Sequence, residues 1–245
     1  MDTRSSAVSS RRRRIGVLWG TGRVGQELIA QALDRGYEVV TLVRRPAKMR
    51  IEHEALDLIA WDATRAEDVA QLLSRVDVLY HTVSVPFMHR KPTFLYSRVA
   101  EAVIKARSLW DNAELPAQYI VMSSFGTHHG RRLPRPFSWG YEWFLGDVAD
   151  DKEREEELLV WSDLPWSVLK AVVLTNRPQQ AYRLQSFDEV RPSVWARVSR
   201  ATVASALLDM ADITTVGSHG TVSPALQKQL DTDGLVGQKI VVSSA

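Results

Sequence analysis

Residues 14–45 read RIGVLWGTGRVGQELIAQALDRGYEVVTLVRR, and this stretch decides the fold. An apolar strand is predicted at Ile15 to Trp19, and a second one at Glu38 to Val43. Between them lies a helix that ends at Gly36, and its apolar residues recur every three or four positions: Val24, Leu28, Ile29, Ala32 and Leu33. This order of strand, turn, helix and strand predicts a βαβ unit with two parallel strands.

The same alternation of apolar runs and helical segments continues along the chain. Further strands are predicted at Asp57 to Trp61, Asp77 to Val83, Gln118 to Ser123, Ser167 to Leu174 and Lys239 to Ser243. Further helices are predicted at 92–110, from about Asp150 to Trp161, and at Arg200 to Asp212. We therefore predict an α/β fold of Rossmann type, with a doubly wound, mostly parallel sheet.

Two stretches do not fit this alternation. Residues 125–147 are rich in glycine, proline, arginine and aromatic residues without a sustained period, which predicts a small irregular substrate cap. Residues 217–237 contain glycine, serine and aspartate in a pattern that predicts no particular element. We expect residues 15–245 to form one domain that includes the cap, preceded by a disordered basic tail at residues 1–14.

Composition excludes several classes of protein. The 245 residues include no cysteine, so disulfides, thiolate metal sites and cysteine nucleophiles are excluded. No apolar run approaches the roughly 20 residues of a membrane-spanning helix. No basic stripe interleaved with aromatic residues continues beyond the tail, and no spacing of carboxylates and histidines predicts a metal site. We expect a cytoplasmic protein, monomeric or homodimeric, that binds neither membrane nor nucleic acid nor metal ion.

The turn after the first strand carries a phosphate-binding motif. Gly20, Gly22 and Gly25 satisfy the spacing G-x-G-x-x-G between a strand and an amphipathic helix. The glycines permit a tight turn, a close approach of the backbone to a pyrophosphate, and close packing of helix on strand. Free N–H groups and the helix dipole then hold the phosphates. An isolated match is often an accidental turn, but this context favours a dinucleotide site.

The second strand ends in Arg44 and Arg45, where NAD-binding proteins usually place an acidic residue that bonds the ribose 2′-hydroxyl. Guanidinium groups are planar donors suited to the oxygens of a 2′-phosphate. The sequence therefore favours NADP(H) as the cofactor. The alternative is that both arginines are ordinary solvated charges in a loop.

Six short stretches carry a resemblance to a known family: Thr21-Gly22-x-x-Gly25, Leu42-Val43-Arg44-Arg45, Trp61-Asp62, Val121-Met122-Ser123-Ser124, Asp150-Asp151-Lys152 and Val198-Ser199-Arg200-Ala201-Thr202-Val203-Ala204. With these residues, the chain resembles the atypical short-chain dehydrogenase/reductase proteins from about Ile15 to Ala211. It is similar to their NmrA-like, NAD(P)H-binding group, which includes biliverdin-IXβ and flavin reductases.

The resemblance implies contacts at the carboxyl ends of the strands, where open α/β sheets bind ligands. The pyrophosphate would be wrapped by Gly20, Thr21, Gly22, Arg23 and Val24. The 2′-phosphate would meet Arg44 and Arg45, and the adenine would meet Asp62 and Ala63. The ribose and nicotinamide side would lie along Val83 and Ser84, while Ser123 and Ser124 would face the nicotinamide and the substrate.

The chain departs from the family pattern at three places. Trp19 stands where the usual G-x-x-G-x-x-G turn of the family has its first glycine. Its indole either crowds the cofactor, or it turns into the core while Gly20 restores the G-x-G-x-x-G spacing. Val148 replaces the tyrosine of the Tyr-x-x-x-Lys pair that would end at Lys152, which disfavours a ketoreductase with the usual acid. After the sixth strand, where the family has Arg-Pro or Pro-Pro, this chain has Lys170-Ala171.

The substrate side is rich in aromatic residues. The candidates for substrate binding are Phe87, Phe125, Trp139, Tyr141 and Trp143. Such a density of rings predicts a flat aromatic or polycyclic small molecule, and the alternative is a hydrophobic cluster that pins a long loop. His128 is a candidate proton donor, and His81, inside the fourth strand, is interpreted as structural.

These residues favour an NADPH-dependent reductase that passes hydride to a quinone, enone, flavin or imine type of acceptor. The candidate catalytic residues are Ser124, which would orient the acceptor, His128, and Lys152, which either holds ribose hydroxyls or is one more charge on a solvated helix. One alternative is a non-catalytic NADP-binding sensor or regulator of NmrA-like type. Another is a non-redox isomerase, dehydratase or cyclase on the same scaffold.

Overall fold

The computed structural model describes residues 13–85, 92–109, 118–128, 135, 137–191, 195–212 and 220–244. The described strands are β1 (Arg14–Leu18), β2 (Glu38–Leu42), β3 (Leu56–Ile59), β4 (Val78–His81), β5 (Gln118–Ser124), β6 (Trp166–Ala171), β7 (Val173–Thr175), β8 (Tyr182–Ser186), β9 (Arg197–Ser199), β10 (Gly220–Val222) and β11 (Lys239–Ser244). The described helices are α1 (Arg23–Asp34), α2 (Ala66–Leu73), α3 (Leu95–Ser108), α4 (Phe137–Val160), α5 (Arg200–Ala211) and α6 (Pro224–Asp233).

Nine strands form one sheet in the order β10-β8-β11-β6-β5-β4-β1-β2-β3. Within this order, six neighbouring strands pair in parallel, namely β6, β5, β4, β1, β2 and β3. Strand β11 is parallel to β6 but antiparallel to β8. The strands β7 and β9 form a separate parallel pair. The chain reverses its direction of winding between β1 and β4, and doubly wound sheets bind ligands at the carboxyl ends of the strands beside this point. The predicted α/β Rossmann-type fold is confirmed.

Two apolar layers cover the sheet. One face packs against α1 and α5 through residues such as Leu28 and Leu207, and the other packs against α2, α3 and α4 through Leu72, Val99 and Leu159. The predicted amphipathic face of α1 is confirmed, because Val24, Leu28, Ile29, Ala32 and Leu33 are all buried. The carboxyl ends of β1, β4 and β5 therefore lie between two rigid layers.

Several predicted boundaries need correction. The third strand ends at Ile59, so Trp61 and Asp62 follow it rather than belong to it. The predicted strand at Ser167 to Leu174 is two strands, because β7 leaves the main sheet after Val172 and pairs with β9. The elements β8, β9, β10 and α6 were not predicted.

The cap predicted at 125–147 is not irregular throughout. Helix α4 begins at Phe137, far upstream of the predicted start near Asp150. It follows Pro136, and Gly140 and Gly146 lie within it. Each glycine costs a helix about 1 kcal/mol relative to alanine, and packing of the rest of α4 offsets this cost.

The predicted tail at 1–14 overlaps the folded chain at its end. Arg14 is the first residue of β1, and Arg13 forms an ion pair with Asp212. Residues 1–12 lie outside the described residues. Within the described part of the chain, no helix combines the length and the apolar character that a membrane crossing requires.

Candidate cofactor and substrate site

The turn between β1 and α1 depends on the absence of side chains at its glycines. A Cβ atom at Gly20 would lie 2.7 Å from Ile29 Cδ1 and even closer to Thr41 Oγ1, and one at Gly25 would lie 2.6 Å from the Trp19 carbonyl oxygen. Helix α1 can therefore approach β1 only because these positions are glycine. The first turn of α1 has no acidic residue, and its N-cap is Gly22, which has no side chain that could cap the helix. Its N–H groups and the positive end of its dipole are therefore open to an anion.

Trp19 adopts the backbone conformation of a glycine. Its φ angle is +72°, in the left-handed region that bulky residues rarely adopt. Its Cδ1 atom lies 2.9 Å from the place of a Cβ atom on Gly22, and the Arg44 guanidinium carbon lies 4.4 Å from its ring centroid. The half-buried ring also touches the apolar layer under α2 and α3. The indole thus does not turn fully into the core, because it lies between Gly22 and Arg44.

Positive charge collects around this turn. Arg23, Arg44 and Arg45 are exposed, and within the described ranges none of them forms an ion pair with a carboxylate. Arg200, at the start of α5, donates to Asn176 Oδ1 at 2.6 Å. Burial lowers the pKa of Arg200, and the positive charge of Arg23 lowers it further. Two cations therefore repel each other near the start of α1, where an anion would neutralise them.

The residues after β3 form a local turn. The carboxylate of Asp62 accepts hydrogen bonds from the Thr64 backbone N–H at 2.9 Å and from the Thr64 hydroxyl at 2.8 Å. Ala63 is buried against α2. Asp62 therefore fixes the chain between β3 and α2, and contact of these two residues with adenine stays a prediction.

The end of β4 reaches the same edge of the sheet. Val83 is buried and Ser84 is exposed, so only the second presents its side chain to solvent. His81 is buried, with Nδ1 at 2.9 Å from both the Tyr119 hydroxyl and Glu155 Oε1. This placement agrees with the structural interpretation of His81. Phe87, in the loop that follows, lies outside the described residues.

The two serines at the end of β5 point to opposite faces, because side chains alternate along a strand. Ser123 is buried and donates to Glu156 Oε1 at 2.8 Å. Ser124 is half-buried, and its hydroxyl accepts a long hydrogen bond of 3.3 Å from the Gly126 N–H. Ser124 is the more accessible of the two, and contact of both serines with nicotinamide or substrate stays a prediction.

The charged run on α4 is not a solvated face. Asp151, Lys152, Glu155 and Glu156 are all buried. Asp151 accepts hydrogen bonds from the backbone N–H groups of Tyr96 and Ser97, and so caps α3. The alternative interpretation of Lys152 as one more solvated charge is wrong, because the helix packs this side against the sheet.

Lys152 is held by its surroundings. Its Nζ donates to the Met122 carbonyl at 3.1 Å, lies 3.9 Å from the centre of the Tyr96 ring, and lies 3.8 Å from Glu155 Oε2. Val148 stands one turn earlier on α4 and packs into the apolar layer. Tyr96 comes from α3, and its hydroxyl accepts a hydrogen bond from the Val85 N–H at 3.0 Å. Lys152 therefore supports the β5 backbone just before the two serines.

Glu156 is the centre of a buried ionic cluster. Lys170 Nζ contacts its Oε1 at 2.6 Å, Lys239 Nζ contacts its Oε2 at 2.9 Å, and His128 Nε2 lies 3.3 Å from Oε2. Burial alone would raise the pKa of Glu156, but the hydrogen bond from His128 and the charges of both lysines hold it well below its ordinary value. Burial lowers the pKa of Lys170 to about 8 although Glu156 opposes the shift.

His128 connects this cluster to the surface. Its side chain is 34% exposed, and its backbone N–H donates to Glu153 Oε1 at 2.7 Å. Its φ angle of +62° places it in the left-handed region. Histidine adopts this region more readily than most residues, and the role of His128 as a proton donor stays a prediction.

The aromatic residues of the predicted cap divide into two groups. Phe125 is buried and meets Phe187 edge to face at 5.9 Å between ring centroids, so it belongs to a hydrophobic cluster. Trp139 and Trp143, one turn apart on α4, are 62% and 70% exposed. The side chain of Tyr141 lies outside the described residues.

Sequence reasoning assigned no role in the site to four residues of this region: Tyr96, Glu156, Lys170 and Arg200. Lys170 lies inside an apolar strand, where a fully buried charge is unusual and signals a partner. Glu156 is one turn from Lys152, on the side of α4 that also carries Leu159. A helical projection of residues 148–159 would have placed it with the buried residues.

Sequence comparisons identify relatives of this chain. A family model described as NAD(P)H-binding matches residues 20–213. A 3-beta-hydroxysteroid dehydrogenase from Mycolicibacterium neoaurum is 35% identical over 72 residues, which are 29% of this chain and 19% of that protein. The match thus covers less than a fifth of that relative's length.

Solved structures with the same fold include three that cover nearly the whole chain. A short-chain dehydrogenase/reductase (wide type) from Veillonella parvula, in complex with NADP, has a TM-score of 0.70 and 17% identity over 94% of each chain. An oxidoreductase from Lactococcus lactis has a TM-score of 0.67 and 16% identity, and the match covers 95% of this chain and 91% of that one. A candidate NADH-flavin reductase from Streptococcus pneumoniae has a TM-score of 0.64 and 16% identity, and the match covers 95% of this chain and 100% of that one.

At these identities the structural likeness shows the fold, whereas the family model shows the family. The region that the family model matches includes the glycine turn after Trp19, strands that end at the candidate site, and α5. The chain therefore belongs to the NAD(P)H-binding family, and its fold is that of the short-chain dehydrogenase/reductase proteins.

Proposed function

We propose that the protein is an NADPH-dependent reductase that transfers hydride to a conjugated or aromatic small molecule of the quinone, enone, flavin or imine type. The observation that carries this proposal is the glycine-capped start of α1 beside the exposed Arg23, Arg44 and Arg45 at the reversal point of the sheet. Relatives named as oxidoreductases support the general class of reaction. The site would act on small molecules in the cytoplasm, in a monomer or a homodimer.

The residues present fit a dinucleotide. Side chains at Gly20 and Gly25 would clash with the turn, so the backbone is shaped for close approach to a phosphate. The pyrophosphate would lie on Gly20, Thr21, Gly22, Arg23 and Val24, and the positive charge of Arg23 and Arg200 would neutralise it. Arg44 and Arg45 would bind the 2′-phosphate. When bound, the nicotinamide supplies the hydride.

The acceptor would lie at the ends of β4 and β5. Ser124 would hydrogen-bond and orient it, and Lys152 would keep the end of β5 in place through the Met122 carbonyl. His128, exposed on one side and supported by Glu156 on the other, would supply a proton. The exposed rings of Trp139 and Trp143 favour a flat acceptor.

The test is oxidation of NADPH by the purified protein with a panel of quinones, enones, flavins and imines, followed by the near-ultraviolet absorbance of the reduced nicotinamide. We expect turnover with at least one acceptor, and a clear decrease in turnover for Ser124→Ala with unchanged NADPH affinity. Binding of NADPH without oxidation by any acceptor would instead identify a sensor. The burial of Lys152 away from solvent is the observation that favours that second candidate.

A further inference from the structure

Trp19 stands at the point where the backbone requires a glycine. Its φ angle of +72° is unfavourable for a residue with a bulky side chain. Its carbonyl oxygen accepts a hydrogen bond of 2.9 Å from the Gly22 N–H, so Trp19 is the first residue of the tight turn. Strained residues persist where the surrounding structure or a function maintains them.

The indole lies over the part of the turn that must remain open for a phosphate. Its Cδ1 atom is 2.9 Å, and its Nε1 atom 3.7 Å, from the place of a Cβ atom on Gly22. Gly22 is the glycine that lets the backbone approach a pyrophosphate. The ring thus fills space that this glycine would otherwise leave to a ligand.

The same ring occupies the face of Arg44. The guanidinium carbon lies 4.4 Å from the ring centroid, which is the geometry of a cation–π contact. An arginine at this strand end can stack on a flat ring and donate its edge to a phosphate at the same time. In the structure, the stacking partner of Arg44 is the indole of Trp19.

We propose that the indole of Trp19 competes with adenosine for the face of Arg44, so that Trp19 sets the nucleotide affinity of the site. This inference rests on the proposed dinucleotide site. An adenosine nucleotide must displace the indole before its own base stacks on Arg44. Because the competent state is then only a fraction of the population, the apparent affinity is lowered by that fraction.

The experiment compares the wild type with Trp19→Gly and Trp19→Phe in calorimetric titrations with 2′,5′-ADP and 5′-AMP. Trp19→Gly removes the ring and relieves the positive φ angle, whereas Trp19→Phe keeps a ring on Arg44. We expect the glycine variant to bind both nucleotides about tenfold more tightly than the wild type, a factor that corresponds to about 1.4 kcal/mol. The phenylalanine variant should change by a smaller factor.

A second readout follows the indole itself. The chain contains eight tryptophans, so the fluorescence of Trp19 is obtained as the difference between the wild type and Trp19→Phe. This difference should change when 2′,5′-ADP binds, because the indole leaves Arg44. Circular dichroism of each variant confirms that it is folded.

The outcomes separate this inference from the proposed function. Unchanged or weaker nucleotide binding by Trp19→Gly, with a wild type that binds, overturns the inference and leaves the reductase proposal standing. Tighter binding by Trp19→Gly without NADPH oxidation by any acceptor supports the inference and contradicts the reductase. Absence of binding by all three proteins overturns both.

Discussion

The turn after β1 and the face of α4 that packs on β5 and β6 lie at the same edge of the sheet but are stabilised differently. The turn depends on missing side chains, since a Cβ atom at Gly20 or Gly25 would meet neighbouring atoms at 2.7 Å or less. The α4 face depends on charged side chains that are almost fully removed from water, with Glu156 and Lys170 at its centre.

This difference shows where each region tolerates change. The turn has steric requirements, so substitutions there act through overpacking. The cluster around Glu156 has electrostatic requirements, and removing one buried partner leaves the others desolvated and unpaired. The turn is therefore suited to a ligand that contacts the backbone. The cluster is suited to holding the side chains of Ser123 and His128 in place.

The largest effect is expected for Glu156→Gln. The substitution leaves Lys170 buried beside a neutral amide, which should lower the free energy of unfolding by about 3–5 kcal/mol. Urea unfolding measures this change. Glu157→Gln, at an exposed position on the same helix, is the control and should change it by less than about 0.5 kcal/mol. Equal effects of the two substitutions would show that the buried cluster does not stabilise the fold.

A smaller effect is expected for Gly20→Ala. The added Cβ atom would press on Ile29 and Thr41, so we expect a loss of about 1–3 kcal/mol. Gly140→Ala is the control, because among the described atoms none lies within 4 Å of its added Cβ atom, and alanine favours helix α4 by up to about 1 kcal/mol. Thermal unfolding of both variants should therefore shift in opposite directions. A Gly20→Ala protein as stable as the wild type would contradict the close packing of α1 on β1.

A still smaller effect is expected for the free energy of unfolding as the pH is lowered. The pKa of Glu156 is held below its ordinary value of 4.5 in the folded protein, so the unfolded chain takes up protons first as pH falls. The stabilisation by Glu156 is thus complete above about pH 4.5 and decreases as pH falls below it. Urea unfolding between neutral and acidic pH should show a weaker pH dependence for Glu156→Gln than for the wild type. Identical pH dependence would indicate that Glu156 is not an ionised partner in the folded state.

The turn was predictable from sequence because its determinants are local. Gly20, Gly22 and Gly25 lie between an apolar strand and an amphipathic helix, and both elements are confirmed. The same reasoning could have found α6, since Ser223 caps it and Pro224 opens it. The start of α4 at Phe137 was less visible, because two glycines and exposed tryptophans disguise its period.

The buried cluster was not predictable in the same way because its partners are distant in sequence. Glu156 meets residues from β5, β6 and β11, and only the sheet order brings these strands together. The sequence leaves two interpretations of Lys152 open, a contact to ribose hydroxyls and a solvated charge, whereas packing buries this side of α4. Tertiary context decided this question, because charge runs by themselves indicate solvation.

The most direct test of the account is a calorimetric titration of the wild type with NADPH and with NADH, beside Arg44→Ala and the control Arg50→Ala. We predict one site that binds NADPH more tightly than NADH. We predict that Arg44→Ala weakens NADPH binding roughly tenfold and NADH binding by a smaller factor, because only NADPH also loses the contact to its 2′-phosphate, while Arg50→Ala changes little. Absence of binding by the wild type to either nucleotide at millimolar concentration would contradict the dinucleotide site at the turn after β1.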